Sequence, residues 1–180
     1  MGRRNVCCLC FVFVCSVVSF QTYTDSVQKI TLLTIGRVKS SWIAAGCQEY
    51  LERLRPSVKL TITEIPPSRQ KDSEKQRQEE SEQILHSLER ECGDIFLLDE
   101  AGERMASKQF SVFLSKAEDM GLPLTFIIGG AYGVSEQVKS AARGSIRLSD
   151  MTLTHEMSRL VFLEQLYRAT EIRKGSGYHH

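Results

Sequence analysis

From Lys29 onward, short β-rich apolar runs alternate with stretches whose apolar residues recur at helical spacing. Ile30 to Ile35 is a β-rich run stopped by Gly36. Ser41 stands where a helix cap belongs, and Trp42, Ile43, Gly46, Tyr50, Leu51 and Leu54 form a stripe that Pro56 ends. Val58 to Ile65 alternates with period two, the pattern of a strand with one exposed face, and Pro66 and Pro67 break it. Ser68 to Gln83 mixes both signs of charge. It reads as a loop passing into an exposed helix that runs to about Arg90, with Ile84, Leu85 and Leu88 as apolar contacts.

Asp94 to Leu98 is the next strand, and Ser107 opens a helix reaching Met120-Gly121. Pro123 to Ile128 is the most continuous apolar run, as expected of a central parallel strand covered on both faces. Gly129-Gly130 ends it and Ser135 begins another helix. A short strand, Ser145 to Leu148, leads through Ser149-Asp150-Met151-Thr152 to a long final helix from about Thr154. The order β-α-β-α-β-α-β-α-β-α, with no internal repeat, predicts an α/β domain with a mainly parallel sheet flanked by helices.

Residues 1–28 follow a different pattern. Arg3 and Arg4 precede an apolar run from Val6 to Val18, and no acidic residue occurs before Asp25. A basic start with an apolar stretch of this length matches a secretory-type signal, and it is short of the roughly 20 apolar residues of a membrane span. A transit peptide would be more amphipathic and richer in Arg and Ser. A bipartite leader, signal first and organelle address after it, reconciles these features, and a signal anchor is the alternative. The domain boundary therefore falls between residues 1–28 and 29–180.

Composition narrows the function classes. The 180 residues suit one domain, and 42% hydrophobic with 25% charged residues is ordinary for a globular chain. A net charge of +1 excludes a strongly basic tail, so any nucleic-acid surface must be local or assembled from more than one chain. The glutamates interleaved with Arg69, Lys71, Lys75 and Arg77 favour a solvated helix face for most of that stretch. Four of the six cysteines (Cys7, Cys8, Cys10 and Cys15) crowd the start and only Cys47 and Cys92 lie in the body. That spacing suits neither a zinc site nor a disulfide framework, and no metal is expected.

Chemistry in an open α/β sheet belongs beyond the carboxyl ends of its strands. Three such ends stand out: Leu98 to Gly102, Ile128 to Gly133, and Leu148 to Leu153. Gly129-Gly130 is neither a dinucleotide fingerprint nor a phosphate-cradling loop, and taken alone a tight strand-to-helix turn is the favoured account of it. The final helix, with Met157, Leu160, Val161, Phe162, Leu163, Leu166 and Tyr167, has little polar face, which means burial on most sides or packing against a second copy. It carries Arg159 and Arg168 and ends in Gly175 to His180, a tail that either frays or folds over a site.

At these residues the chain resembles a known family. Ile30 to Gly36, Glu49-Tyr50, Ile127-Ile128-Gly129-Gly130 with Gly133, Leu148 to His155, Arg159, Tyr167-Arg168-Ala169 and Tyr178-His179 together look like the RlmH family, the pseudouridine N3-methyltransferases of the SPOUT class. The likeness covers 29–180 and, with the leader, is that of a eukaryotic organelle-type homologue. The family usually has Pro before the motif histidine, where this chain has Thr154.

The resemblance implies a SPOUT methyltransferase fold whose C-terminal part is tied in a trefoil knot, a homodimer, and an enzyme that uses S-adenosyl-L-methionine to methylate N3 of a pseudouridine in large-subunit ribosomal RNA. Carried over by position, Leu98, Gly129, Leu148, Ser149, Asp150, Met151, Thr152 and Leu153 should hold the cofactor. The sulfonium is already activated, so the protein must align a base nitrogen and handle one proton. A neutral histidine can accept that proton, or an arginine can stabilise the anionic base. His155, Arg159, Arg168, Tyr178 and His179 are the catalytic candidates, with His180 beside them. Structural alternatives stand next to them: His155 capping the last helix, and Arg159 and Arg168 pairing with Glu156, Glu164 or Glu171. In a dimer one subunit's tail can complete the other's site. A near-neutral chain suits docking on an assembled ribosomal subunit better than gripping naked RNA. A leader on a bacterial-type enzyme points to plastid or mitochondrial ribosomes. The competing function is a non-catalytic ribosome-binding factor that keeps the fold.

Overall fold

The computed structural model describes residues 27–178. Nearly all of the leader lies outside the described residues, as do His179 and His180. The elements are β1 (Gln28–Ile35), α1 (Ser41–Leu54), β2 (Val58–Ile65), α2 (Ser73–Leu88), β3 (Asp94–Arg104), α3 (Ser107–Asp119), β4 (Leu124–Ile128), α4 (Glu136–Ala141), β5 (Gly144–Arg147) and α5 (His155–Lys174). The alternation is the one read from the sequence. The five strands form one sheet in the order β2-β1-β4-β3-β5, and every ladder in it is parallel.

Strand periodicity divides the core in two. Ile30, Leu32, Phe96, Phe126 and Ile146 face one side and pack with α1, α3 and α5, while Leu33, Ile35, Leu97 and Ile127 face the other and pack with α2 and α4. Strand β4 sits between β1 and β3 and all five of its residues are buried, the physical reason for its unbroken apolar sequence. Its Phe126 meets Phe162 of α5 with ring centroids 4.8 Å apart, and both rings are fully buried. Each such ring contributes about 1.5–3 kcal/mol of hydrophobic stabilisation. Phe162, Leu163, Leu166 and Ala169 are buried within the single chain, so core packing accounts for the most apolar part of α5.

Several boundaries are set by tertiary partners. Ser40 rather than Ser41 is the N-cap of α1, and its side chain makes no capping bond. The Glu156 carboxylate of α5 accepts the Ser40 and Lys39 backbone N–H groups instead, at 3.1 and 3.2 Å. Strand β3 runs six residues past Leu98, because it pairs with β5 twice. Leu98 and Glu103 both lie opposite Ile146, and the residues between them bulge away. At the return Gly102 runs against the partner backbone, where a Cβ would sit 2.7 Å from the Ile146 backbone nitrogen. Only glycine fits such a crossing. Arg69, Lys71 and Lys75 are exposed as expected, but Glu80 and Ser81 of α2 are buried beside Ile84 and Leu88.

Candidate active site

The carboxyl ends of β3, β4 and β5 converge on a cleft of about 580 Å³. Its walls come from residues 97–100, 128–131, 133–134, 147–149 and 151–155, with Ser158 from the second turn of α5. This is the place where an open parallel sheet leaves a crevice, and the volume lies within the roughly 300–1,000 Å³ usual for small-molecule sites. Of the residues expected to hold a cofactor, Leu98, Gly129, Leu148, Ser149, Met151, Thr152 and Leu153 line it. Asp150 does not. Its carboxylate faces Arg104 Nε at 3.0 Å and Arg147 Nη1 at 3.4 Å, at the rim.

Short polar contacts shape the walls. Thr152 Oγ1 donates to Glu100 Oε2 at 3.2 Å, joining the loop after β5 to the end of β3. The Met151 N–H donates to Ser149 Oγ at 3.0 Å, which folds that loop on itself. Thr154 caps α5 by accepting the Met157 N–H at 3.3 Å. With φ −66° it has the backbone angle a proline would impose, and its hydroxyl adds a cap that proline lacks. The loop after β4 is close-packed from behind. A Cβ on Gly129 would come within 2.8 Å of Val134 Cγ1, and one on Gly130 within 2.1 Å of Glu80 Oε2. Ser81 Oγ accepts the Ser135 N–H at 2.8 Å and fixes the far end of the loop.

Comparison with known proteins shows the family of the chain. Residues 28–179 match the family model described as "Predicted SPOUT methyltransferase". The chain is 40% identical over 153 residues to the ribosomal RNA large subunit methyltransferase H of Geobacter sp. (strain M21), covering 84% of this chain and 99% of that protein. The methyltransferase H of Dictyoglomus thermophilum is 40% identical over 152 residues and that of Cytophaga hutchinsonii 38% over 154, at the same coverage. The chain belongs to the SPOUT methyltransferase family.

Within this SPOUT domain the catalytic candidates fall into three places. His155, the first residue of α5, lines the cleft, and with Thr154 supplying the cap its ring is not needed for that purpose. Arg159, one turn on, is 4% exposed and points to the ends of β1 and β2. Its guanidinium donates to Glu64 Oε1 at 2.6 Å, Thr34 Oγ1 at 2.6 Å and the Gly36 carbonyl at 2.8 Å, so its acidic partner is Glu64 rather than a neighbour on α5. Arg168 pairs with Glu164, as one sequence alternative had it, with Nε 2.9 Å from Oε1. Its guanidinium lies 4.9 Å from the centre of the Tyr178 ring, which meets Tyr167 edge-on at 5.1 Å. Tyr50 and Arg53 of α1 complete this cluster, and burial followed by the nearby Tyr178 pushes the Tyr50 phenol up. None of Arg159, Arg168 and Tyr178 lines the cleft of its own chain.

Arg147 and Ser158 line the cleft without having been singled out from sequence. Both sit in helical or strand patterns where their neighbours carry the apolar signal, and the fold alone turns them inward. Among the described residues no cluster of acidic, histidine or cysteine side chains could hold a metal ion.

Proposed function

We propose that the cleft binds S-adenosyl-L-methionine and that the protein methylates ribosomal RNA of the large subunit, at N3 of a pseudouridine. One observation carries this reading: seven of the eight residues assigned to the cofactor from the sequence line a single cleft, in a chain whose described length matches the family. The residues fit the group. Leu98, Leu148 and Leu153 offer apolar cover for an adenine, and the backbone of residues 129–133 and 148–153 offers N–H and C=O groups to its edge. When bound, the cofactor supplies an activated methyl group on a sulfonium.

The chain's own residues then have two tasks. His155, at the cleft wall, accepts the N3 proton of the target base. Tyr178, held on Arg168 and outside its own cleft, positions the base in the site of a second subunit. This reading makes the active form a homodimer. A trefoil knot in the C-terminal part is proposed on the family likeness. Residues 1–28 are read as a leader that directs the enzyme to plastid or mitochondrial ribosomes, which a fluorescent fusion of that segment tests by where it goes.

The deciding experiment is methyl transfer from labelled S-adenosylmethionine to intact bacterial-type ribosomes, with nucleoside analysis of the digested RNA by mass spectrometry. N3-methylpseudouridine in large-subunit RNA is the expected product. Cofactor binding without any incorporation into ribosomes would point to another substrate or to a non-catalytic ribosome-binding factor.

A further inference from the structure

Glu80 of α2 is 1% exposed, yet only one of its carboxylate oxygens is used. Oε1 accepts the Ser68 backbone N–H and the Gln76 side-chain amide, each at 3.0 Å. Oε2 is buried without a hydrogen-bond partner, and among the described residues no basic side chain bonds to either oxygen. A buried carboxylate in that state costs stability unless something compensates its charge. Oε2 is aimed at the glycine loop, since a Cβ on Gly130 would lie 2.1 Å from it, and Gly130 itself lines the cleft. One glycine separates an uncompensated carboxylate from the ligand space.

Resting on the reading of the cleft as the S-adenosylmethionine site, we infer that Glu80 is a specificity-determining residue that favours the cationic cofactor over its neutral product. At the amino-acid end of both ligands the ammonium and carboxylate charges cancel, so the charge that survives at a distance is that of the sulfonium. Methyl transfer removes it. The carboxylate behind Gly130 attracts the incoming cofactor and releases its hold on the neutral thioether, which helps exchange product for substrate. A purely bracing role for Glu80, holding Ser68 and the loop in place, would weaken both ligands by the same factor.

Calorimetry on the full chain separates these cases. Wild type, Glu80→Gln and Glu80→Met are each titrated with S-adenosylmethionine, S-adenosylhomocysteine and an analogue carrying a protonated amine in place of the sulfonium. The neutral variants should lower the ratio of cofactor to product affinity by roughly five- to tenfold, with the amine analogue following the cofactor. Glu80→Asp, which keeps the charge, should keep most of the ratio. Thermal melts identify which neutral variant folds, and either suffices. An unchanged ratio in a folded neutral variant overturns the inference while leaving the cofactor site standing. Wild-type protein that binds neither the cofactor nor its product overturns both.

Discussion

Arg159 shows how one side chain carries a tertiary joint. Its two Nη atoms reach Glu64, Thr34 and the Gly36 carbonyl, so a residue of α5 bonds to the ends of β1 and β2. Thr34 is 2% exposed and would be left without this donor, whereas the Glu64 side chain is about one-third exposed and can be partly rehydrated. Arg159→Met should therefore cost about 2–4 kcal/mol, below the full penalty of an abandoned buried charge. The shift of the urea midpoint measures it. An unchanged midpoint with lost methyl transfer would move Arg159 from the scaffold into the chemistry.

At the scale of elements, α1 and α5 are clamped by Glu156, whose carboxylate takes the two N–H groups that precede α1. The Ser40 bond, then the Lys39 bond, holds the Glu156 carboxyl below the ordinary glutamate value. The folded state thus binds this proton less readily than the unfolded state, so the clamp's contribution is full above the ordinary value. It fades as pH falls through the lowered one. Comparing wild type with Glu156→Gln by denaturant titration, the stability gap should be constant above about pH 5 and shrink below about pH 4. The β3–β5 crossing is less forgiving. Gly102→Ala must push the Ile146 backbone, and a loss of at least about 2 kcal/mol is expected in thermal or urea unfolding. Stability equal to wild type would mean that the two strands can part there without cost.

For the whole molecule, the position of Tyr178 makes the sharpest demand. It rests on Arg168 and Tyr167, outside the cleft formed by its own chain. Sedimentation equilibrium should find a dimer. Mixing a subunit truncated after Lys174 with one carrying His155→Ala should restore methyl transfer that neither has alone, because one intact cleft then meets one intact tail. Failure of the mixed species, with dimers present, would confine each site to a single chain.

The alternation of elements was readable in the chain because periodicity is a local consequence of burial: period two in β2, an unbroken apolar run in β4, a helical stripe in α1. The three strand ends that build the cleft were readable too, since parallel strands deliver their carboxyl ends to one edge. Glu80 was not. Within a run of mixed charges it looks like any solvated glutamate, and its burial against Gly130, a residue of another element, shows only in the fold. Nor could Asp150, read as a cofactor contact, be told from its neighbours until Arg104 and Arg147 turned it to the rim. Sequence determined which segments are strands and helices and where their chemistry gathers, through short-range patterns. Tertiary structure decided which charged groups are buried or joined across elements, as Glu80 and Arg159 are, because that depends on partners brought together from distant parts of the chain.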